Sequence, residues 1–190
     1  MKLICGLDEV GRGALAGPML MCASVYQENK SLKQKLGNLV FRDSKKMTKL
    51  QRNKIVDELK NNLVYFETLE ISVDEINQKG IGLCNAEGFR KLIKKIKADE
   101  YIVDGNLKIN LSKTNSVVKA DNLFETVMAS SIIAKVTRDI LMHNLHQDFP
   151  NYDFLNNVGY GTKKHIEAIK KFGITKHHRI DFVKNIIATI

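Results

Sequence analysis

A chain of 190 residues, 44% hydrophobic and 27% charged, is large enough for one sizeable core, and its composition excludes disordered and fibrous classes. Thirty Lys and Arg against 21 Asp and Glu leave a formal charge of +9, which favours a polyanionic partner but leaves ribosomal, chromatin-like and enzymatic roles open. No apolar stretch reaches membrane-spanning length, and Met1–Leu7 is too short for a secretory leader, so no membrane partner and a cytoplasmic location are expected.

Lys2–Leu7 reads as a first strand and Gly17–Tyr26 as a second, joined through Gly11–Gly17. Gly37–Lys46 is a polar, basic loop. Thr48 opens a helix to about Asn61, with Gln51 completing a capping box. Leu63–Ile71 is a third strand. Ser72 and Glu75 suggest another capping box for a short helix broken near Gly80 and Gly82, and a longer helix covers Asn85–Lys97. Glu100–Val103 is a fourth strand stopping at Asp104-Gly105, and Ser116–Ala120 a fifth stopping at Asp121. A long helix to about Gln147 carries an apolar stripe of Ala129, Ile133, Val136 and Ile140. Beyond Pro150 the chain loops through Gly159-Tyr160-Gly161, Thr162 caps a helix to about Lys171, and a last helix starts near Arg179. The expectation is one α/β domain over 1–190 with a mixed five-stranded sheet flanked by helices and a small helical C-terminal part from about residue 150.

Asp8, Asp104 and Asp121 each stand where a strand-like run stops, with Glu9 beside the first. Ligands of open α/β sheets gather at the carboxyl ends of strands. Both Asp8 and Glu9 can serve one rim only if their strand ends there, because neighbours point to opposite faces. Crowded carboxylates need a counter-charge, and an oxygen-only donor set suits Mg2+ or Mn2+. Two such ions would activate a water and stabilise the leaving oxygen of a phosphodiester. Gly11-Arg12-Gly13 adds a planar fork for phosphate between residues that lack side chains. Cys5, Cys22 and Cys84 have no CxxC spacing and read as buried hydrophobes in a reducing compartment. His143 and His146 have helical spacing but no third partner, so they are not read as a metal site.

The segments Asp8-Glu9-Val10-Gly11-Arg12-Gly13, Asp43-Ser44-Lys45-Lys46, Val103-Asp104-Gly105, Lys119–Asp121, Ser131–Asp139, Gly159-Tyr160-Gly161-Thr162 and His177-His178-Arg179 together resemble the ribonuclease HII family, in its order and over nearly the whole chain. The resemblance implies a ribonuclease H-like fold and cleavage of the RNA strand of RNA–DNA hybrids. It also implies cleavage 5′ to single ribonucleotides in duplex DNA, leaving 3′-hydroxyl and 5′-phosphate ends. By motif match, Asp8, Glu9, Asp104 and Asp121 become the catalytic, metal-binding acids for two Mg2+ or Mn2+ ions. Gly11, Arg12, Gly13 and Tyr160 are placed to read a 2′-hydroxyl, which donates and accepts hydrogen bonds. Ser44, Lys45, Lys46 and Thr162 complete the expected substrate-binding set, with lysines near helix starts that phosphate would suit.

Ala120 stands where the family usually has glycine, and Asp181 where a serine is common. Glu125, one turn past Asp121, raises the idea that it adjusts metal affinity. Arg138 and Asp139 suggest a structural ion pair as readily as a functional role. His165, His177 and His178 read as hydrogen-bonding or phosphate-side residues. Phe182–Ile190 has no clear sliding-clamp motif, so a monomer without an obligate protein partner is expected. The rivals are another ribonuclease H-like nuclease acting on DNA, such as a junction resolvase, and a hybrid-binding module without catalysis.

Overall fold

The computed structural model describes residues 1–189; the final residue of the Phe182–Ile190 tail lies outside them. Strand β1 (Leu3–Val10) pairs antiparallel with β2 (Met19–Gln27), which pairs antiparallel with β3 (Tyr65–Ile71). On its other side β1 runs parallel to β4 (Glu100–Asp104), and β4 to β5 (Thr114–Val117). The resulting mixed sheet has the order β3-β2-β1-β4-β5. Strand β2 is buried along almost its whole length because helices cover both faces.

One face carries Cys5, Leu7, Met21 and Val103 against α3 (Val73–Lys79) and α4 (Ile81–Lys95), whose Phe89 and Leu92 fill the layer. The opposite face carries Cys22 and Tyr26 against α1 (Leu32–Leu36), α2 (Lys49–Asn62) and α5 (Glu125–Asp148). Helix α5 lies across β1 and β2 and approaches unusually closely at Gly6, where an added Cβ would overlap the Thr126 and Val127 backbone. Ser130 Oγ donates to the Gly6 carbonyl at 2.8 Å, and Ser24 Oγ to that of Thr126 at 2.6 Å. The short helix α6 (Phe154–Asn157), α7 (Lys163–Phe172) and α8 (Ile180–Ile187) close a separate cluster on Ala16 and Met142.

Several elements depart from the sequence expectations. The strand carrying Asp8 and Glu9 continues to Val10, because β2 pairs with it that far, whereas its parallel partner stops at Leu7 opposite Val103. Strand β5 ends at Val117, so Asp121 stands on a 3-10 turn, Ala120–Asn122, rather than at a strand end. Helix α4 begins at Ile81 and takes Gly82 into its first turn. At Ser72 only half of the box forms: its hydroxyl accepts from the Glu75 amide, while the Glu75 carboxylate is drawn to Lys79 and Lys91. The Thr48–Gln51 box is complete. Helix α1 was not anticipated. Ile140 leaves the apolar stripe and is exposed, since α5 there runs beyond the sheet edge and turns Met142 toward the C-terminal helices.

Candidate active site

The open end of β1 and β4 gathers the four acids. Asp8 and Glu9 remain on opposite faces of a regular strand, Asp8 toward Ser131 of α5 and Glu9 toward Asn85 of α4. Both reach the same rim because β4 stops at Asp104 beside them, and the Asp104 charge acts on Asp8, Glu9 and Asp121 alike. Asp121 arrives by a different route from the one its strand-end position suggested. Lys119 adopts a left-handed conformation, and the Ala120 amide then donates to Asp104 Oδ1 at 2.7 Å, pinning the turn to the end of β4. Ala120 itself has an ordinary φ and a buried methyl, which is why alanine serves there.

Burial pushes the Asp8 carboxyl up to about 8, against a hydrogen bond from Ser131 and with help from the Glu9 and Asp104 charges. Burial also raises Glu9, partly offset by the Arg12 guanidinium 3.7 Å away. Asp121 is raised by burial and by Asp104. At Lys45 burial alone would lower the ammonium, but Asp121, Asp8, Asp43 and Asp104 together raise it. Among the described residues no three acids already stand in ligating geometry. One oxygen of each Asp is held locally: Asp8 by the Glu9 amide at 2.8 Å, Asp104 by Ala120, and Asp121 by Asn122 Nδ2 at 2.9 Å. Glu9 Oε2 is buried without a partner. An all-oxygen donor set, an orphaned carboxylate oxygen, and carboxyls raised by burial and then by neighbouring carboxylate charge fit hard divalent cations.

The Gly11-Arg12-Gly13 turn leads into Ala14–Pro18, a connection fastened from below by two arginines. Arg138 donates to the carbonyls of Pro18, Val158 and Ala16 at 2.9, 2.7 and 3.2 Å. Arg179 donates to Arg12 at 2.9 Å and twice to Gly17, at 3.0 and 2.8 Å. Both side chains are fully buried, and carbonyl oxygens rather than carboxylates solvate their charge. Arg138 is therefore not the partner of Asp139, which pairs with Lys135 at 2.7 Å and Arg52 at 3.6 Å. The two glycines do different work. Gly11 has φ +84° and packs on Arg138, whereas nothing approaches within 4 Å of the place where a Gly13 Cβ would stand. The surface open to a ligand is at Gly13.

Tyr160 lies across this connection, its half-exposed ring over the Arg138 guanidinium at 5.6 Å. Thr162 caps α7 by accepting from the His165 amide. Lys45 and Lys46 are exposed on a 3-10 turn capped by Asp43, with Lys46 Nζ 3.5 Å from Asn122. Ser44 is buried, its hydroxyl 2.8 Å from Ser131 Oγ, so in this structure the hydroxyl supports the residue beneath Asp8. Glu125 turns away from the acids and accepts from Ser31 Oγ, Leu32 N and Lys33 N, which removes it from the metal question. His165 and His178 are buried against each other and cannot face phosphate.

Sequence reasoning missed Asn85, which is fully buried facing Glu9, close enough for its amide to favour the Glu9 carboxylate although neither amide atom makes a hydrogen bond of ordinary geometry among the described residues. It offered Arg138 a structural role but with Asp139 as partner, not the backbone carbonyls of Ala16, Pro18 and Val158. In each case the available signal was a polar residue on an otherwise apolar helical face, with Asn85 beside Cys84 and Phe89, and Arg138 four residues after Ala134.

A family profile described as Ribonuclease HII matches residues 5–186. Ribonuclease HII of Clostridium perfringens (strain SM101 / Type A) is 40% identical over 189 residues, covering 98% of this chain and 68% of the relative. The crystal structure of the ribonuclease H2 from Pyrococcus horikoshii OT3 superposes with TM-score 0.82 at 25% identity, covering 98% of each chain. Bst-RNase HIII in complex with Mn2+ shares the fold, with TM-score 0.76 at 19% identity over 99% of this chain and 70% of that one. A five-stranded mixed sheet with acids clustered at one end accords with these matches, and the chain belongs to the ribonuclease HII family, metal-dependent endonucleases acting on RNA–DNA hybrids.

Proposed function

We propose that the chain cuts duplex DNA on the 5′ side of single embedded ribonucleotides, as well as the RNA strand of longer hybrids, leaving 3′-hydroxyl and 5′-phosphate ends. The observation that carries this reading is the meeting of four carboxylates around Asp104 with an open turn at Gly13 and the ring of Tyr160. Asp8, Glu9, Asp104 and Asp121 hold the metal. Mg2+ or Mn2+ ions held by these carboxylates would supply water activation and charge stabilisation at the leaving oxygen; the Mn2+ bound by the HIII neighbour supports the choice of ion.

The chain's own groups do the recognition. Backbone groups of Arg12 and Gly13 approach the 2′-hydroxyl, because no side chain blocks them, and the Tyr160 ring packs on the adjoining sugar or hydrogen-bonds to that hydroxyl. Lys45 and Lys46 neutralise the scissile and neighbouring phosphates. Thr162 and Gly11 act by holding the recognition loops rather than by touching substrate. A monomer with no obligate protein partner suffices for these roles, and three free, buried cysteines suit a reducing compartment such as the cytoplasm.

The test is a cleavage map on a duplex with one embedded ribonucleotide, beside an all-DNA control, with Mg2+ or Mn2+. One metal-dependent cut 5′ to the ribonucleotide, lost in Asp104→Asn while binding persists, is expected. Cutting of the control overturns the reading.

A further inference from the structure

Behind Tyr160 two buried imidazoles form a hydrogen-bonded chain whose proton positions are fixed by their partners. The Thr175 amide, which can only donate, points at His178 Nδ1 from 3.0 Å. That nitrogen therefore carries no proton, and the neutral ring carries its hydrogen on Nε2. His178 Nε2 lies 3.2 Å from His165 Nε2, so His165 must accept there and carry its own hydrogen on Nδ1. His165 Nδ1 lies 2.9 Å from the Tyr160 carbonyl, which can only accept. The contacts at the two ends select the same pair of tautomers, the Thr175 hydroxyl 3.1 Å from His178 Nδ1 can donate in keeping with them, and no other neutral arrangement satisfies all three ring contacts.

The surroundings enforce this arrangement. The rings are packed among Tyr152 and Phe154, with centroids 5.0 Å between Tyr152 and His178 and 5.3 Å between Phe154 and His165. The charged or titratable groups acting on the pair are Asp153, which favours a proton on His165, and His177, which disfavours one on His178. Both rings are held neutral by burial. A second proton on either ring would set N–H against N–H.

Tyr160 sits where an unaided loop would be poorly defined. Val158, two residues earlier, has φ 43°, a costly conformation for a β-branched residue. The Tyr160 amide donates to the Asn157 carbonyl at 2.9 Å, and its own carbonyl takes both the Thr162 amide at 2.8 Å and the His165 ring. The imidazole is the sole side-chain donor recorded on that carbonyl among the described residues.

We propose that His165 and His178 are positioning residues that set the orientation of Tyr160, and through it the preference for a ribose over a deoxyribose. The inference rests on the assignment of Tyr160 to sugar recognition. His165 acts directly on the Tyr160 peptide, and His178 acts by fixing which nitrogen of His165 carries hydrogen.

The tautomers are read on the wild-type protein by 15N–1H correlation spectroscopy of the imidazoles. Hydrogen on His165 Nδ1 and on His178 Nε2 is expected; hydrogen on His165 Nε2 overturns the proposal. The consequence for recognition is read as the ratio of affinities for duplexes with and without one ribonucleotide, in an Asp104→Asn background so that no strand is cut. His165→Asn puts an amide donor near the Nδ1 place and His165→Gln near the Nε2 place. The asparagine variant is expected to keep the ratio. The glutamine variant is expected to lower it about tenfold, the scale of one lost positioning hydrogen bond, with affinity for the all-DNA duplex unchanged.

Equal ratios in the two variants overturn the proposal. If the glutamine variant does not fold, the wild-type tautomers decide. Tyr160→Ala separates the two layers: an unchanged ratio there removes the sugar-recognition role itself. A lowered ratio there with no effect of His165→Gln removes only the role of the histidines.

Discussion

Arg138 occupies the space beneath Gly11 that any side chain on that residue would need. Since Gly11 also has φ +84°, Gly11→Ala combines backbone strain with overpacking and is expected to cost about 2–4 kcal/mol of stability. Gly13 has open space in place of a Cβ, so Gly13→Ala should change stability by less than about 1 kcal/mol yet weaken binding of ribonucleotide-containing duplex. Thermal unfolding and duplex affinity, measured on both variants, distinguish the two roles. Equal melting temperatures would refute the assignment.

Glu125 reaches from the start of α5 to the Leu32 amide at 2.5 Å and so closes the N-terminus of α1 across 93 residues of chain. Its carboxylate favours that helix end by charge as well as by hydrogen bonding. Glu125→Ala is expected to lower stability by about 1–2 kcal/mol while leaving the metal-concentration dependence of cleavage unchanged. A shifted metal dependence would restore Glu125 to the active site.

Burial lowers His178 to about 4 and also lowers His165. Unfolded, each ring would take a proton near 6.5, so the unfolded chain binds more protons than the native one on the acid side. The contribution of His178 is therefore complete above pH 6.5 and is lost as the pH falls from 6.5 toward 4, at up to about 1.4 kcal/mol per pH unit, and His165 adds a loss in the same direction. The raised Asp8 carboxyl gives a slope of opposite sign in the same range, so the histidine part is read as the difference between wild type and the double variant His165→Asn, His178→Gln in denaturant titrations between pH 7.5 and 5; the variant should lose less stability on acidification.

Lys45 stands among the acids, and Asp121, Asp8, Asp43 and Asp104 all favour its charge against the effect of burial. If it neutralises one phosphate, Lys45→Ala should weaken binding of hybrid and all-DNA duplex alike and reduce the slope of log affinity against log salt by about one. An unchanged slope would leave Lys45 as a counter-ion of the acids alone.

Much of this arrangement was readable in the sequence because local signals and the fold agreed. Strands β1 and β2, the Thr48–Gln51 box and the Thr162 cap lie where residue patterns put them. What the pattern could not carry was set by distant partners. Helix α1 is short and depends on Glu125, and the position of Asp121 depends on the Asp104–Ala120 bond rather than on a strand. The reach of β1 past Glu9 follows from its pairing with β2. The motif match that put Ser44 with the substrate-binding residues carries no sign of the hydrogen bond its hydroxyl makes to Ser131, 87 residues away.

The bond from Arg179 to the Arg12 carbonyl spans 167 residues, nearly the full length of the chain. The turn that follows Asp8 and Glu9 is thus held in shape by a guanidinium from the last helical part of the fold, so removing α8 and the residue before it should loosen the Gly-Arg-Gly turn while leaving the acids seated on β1.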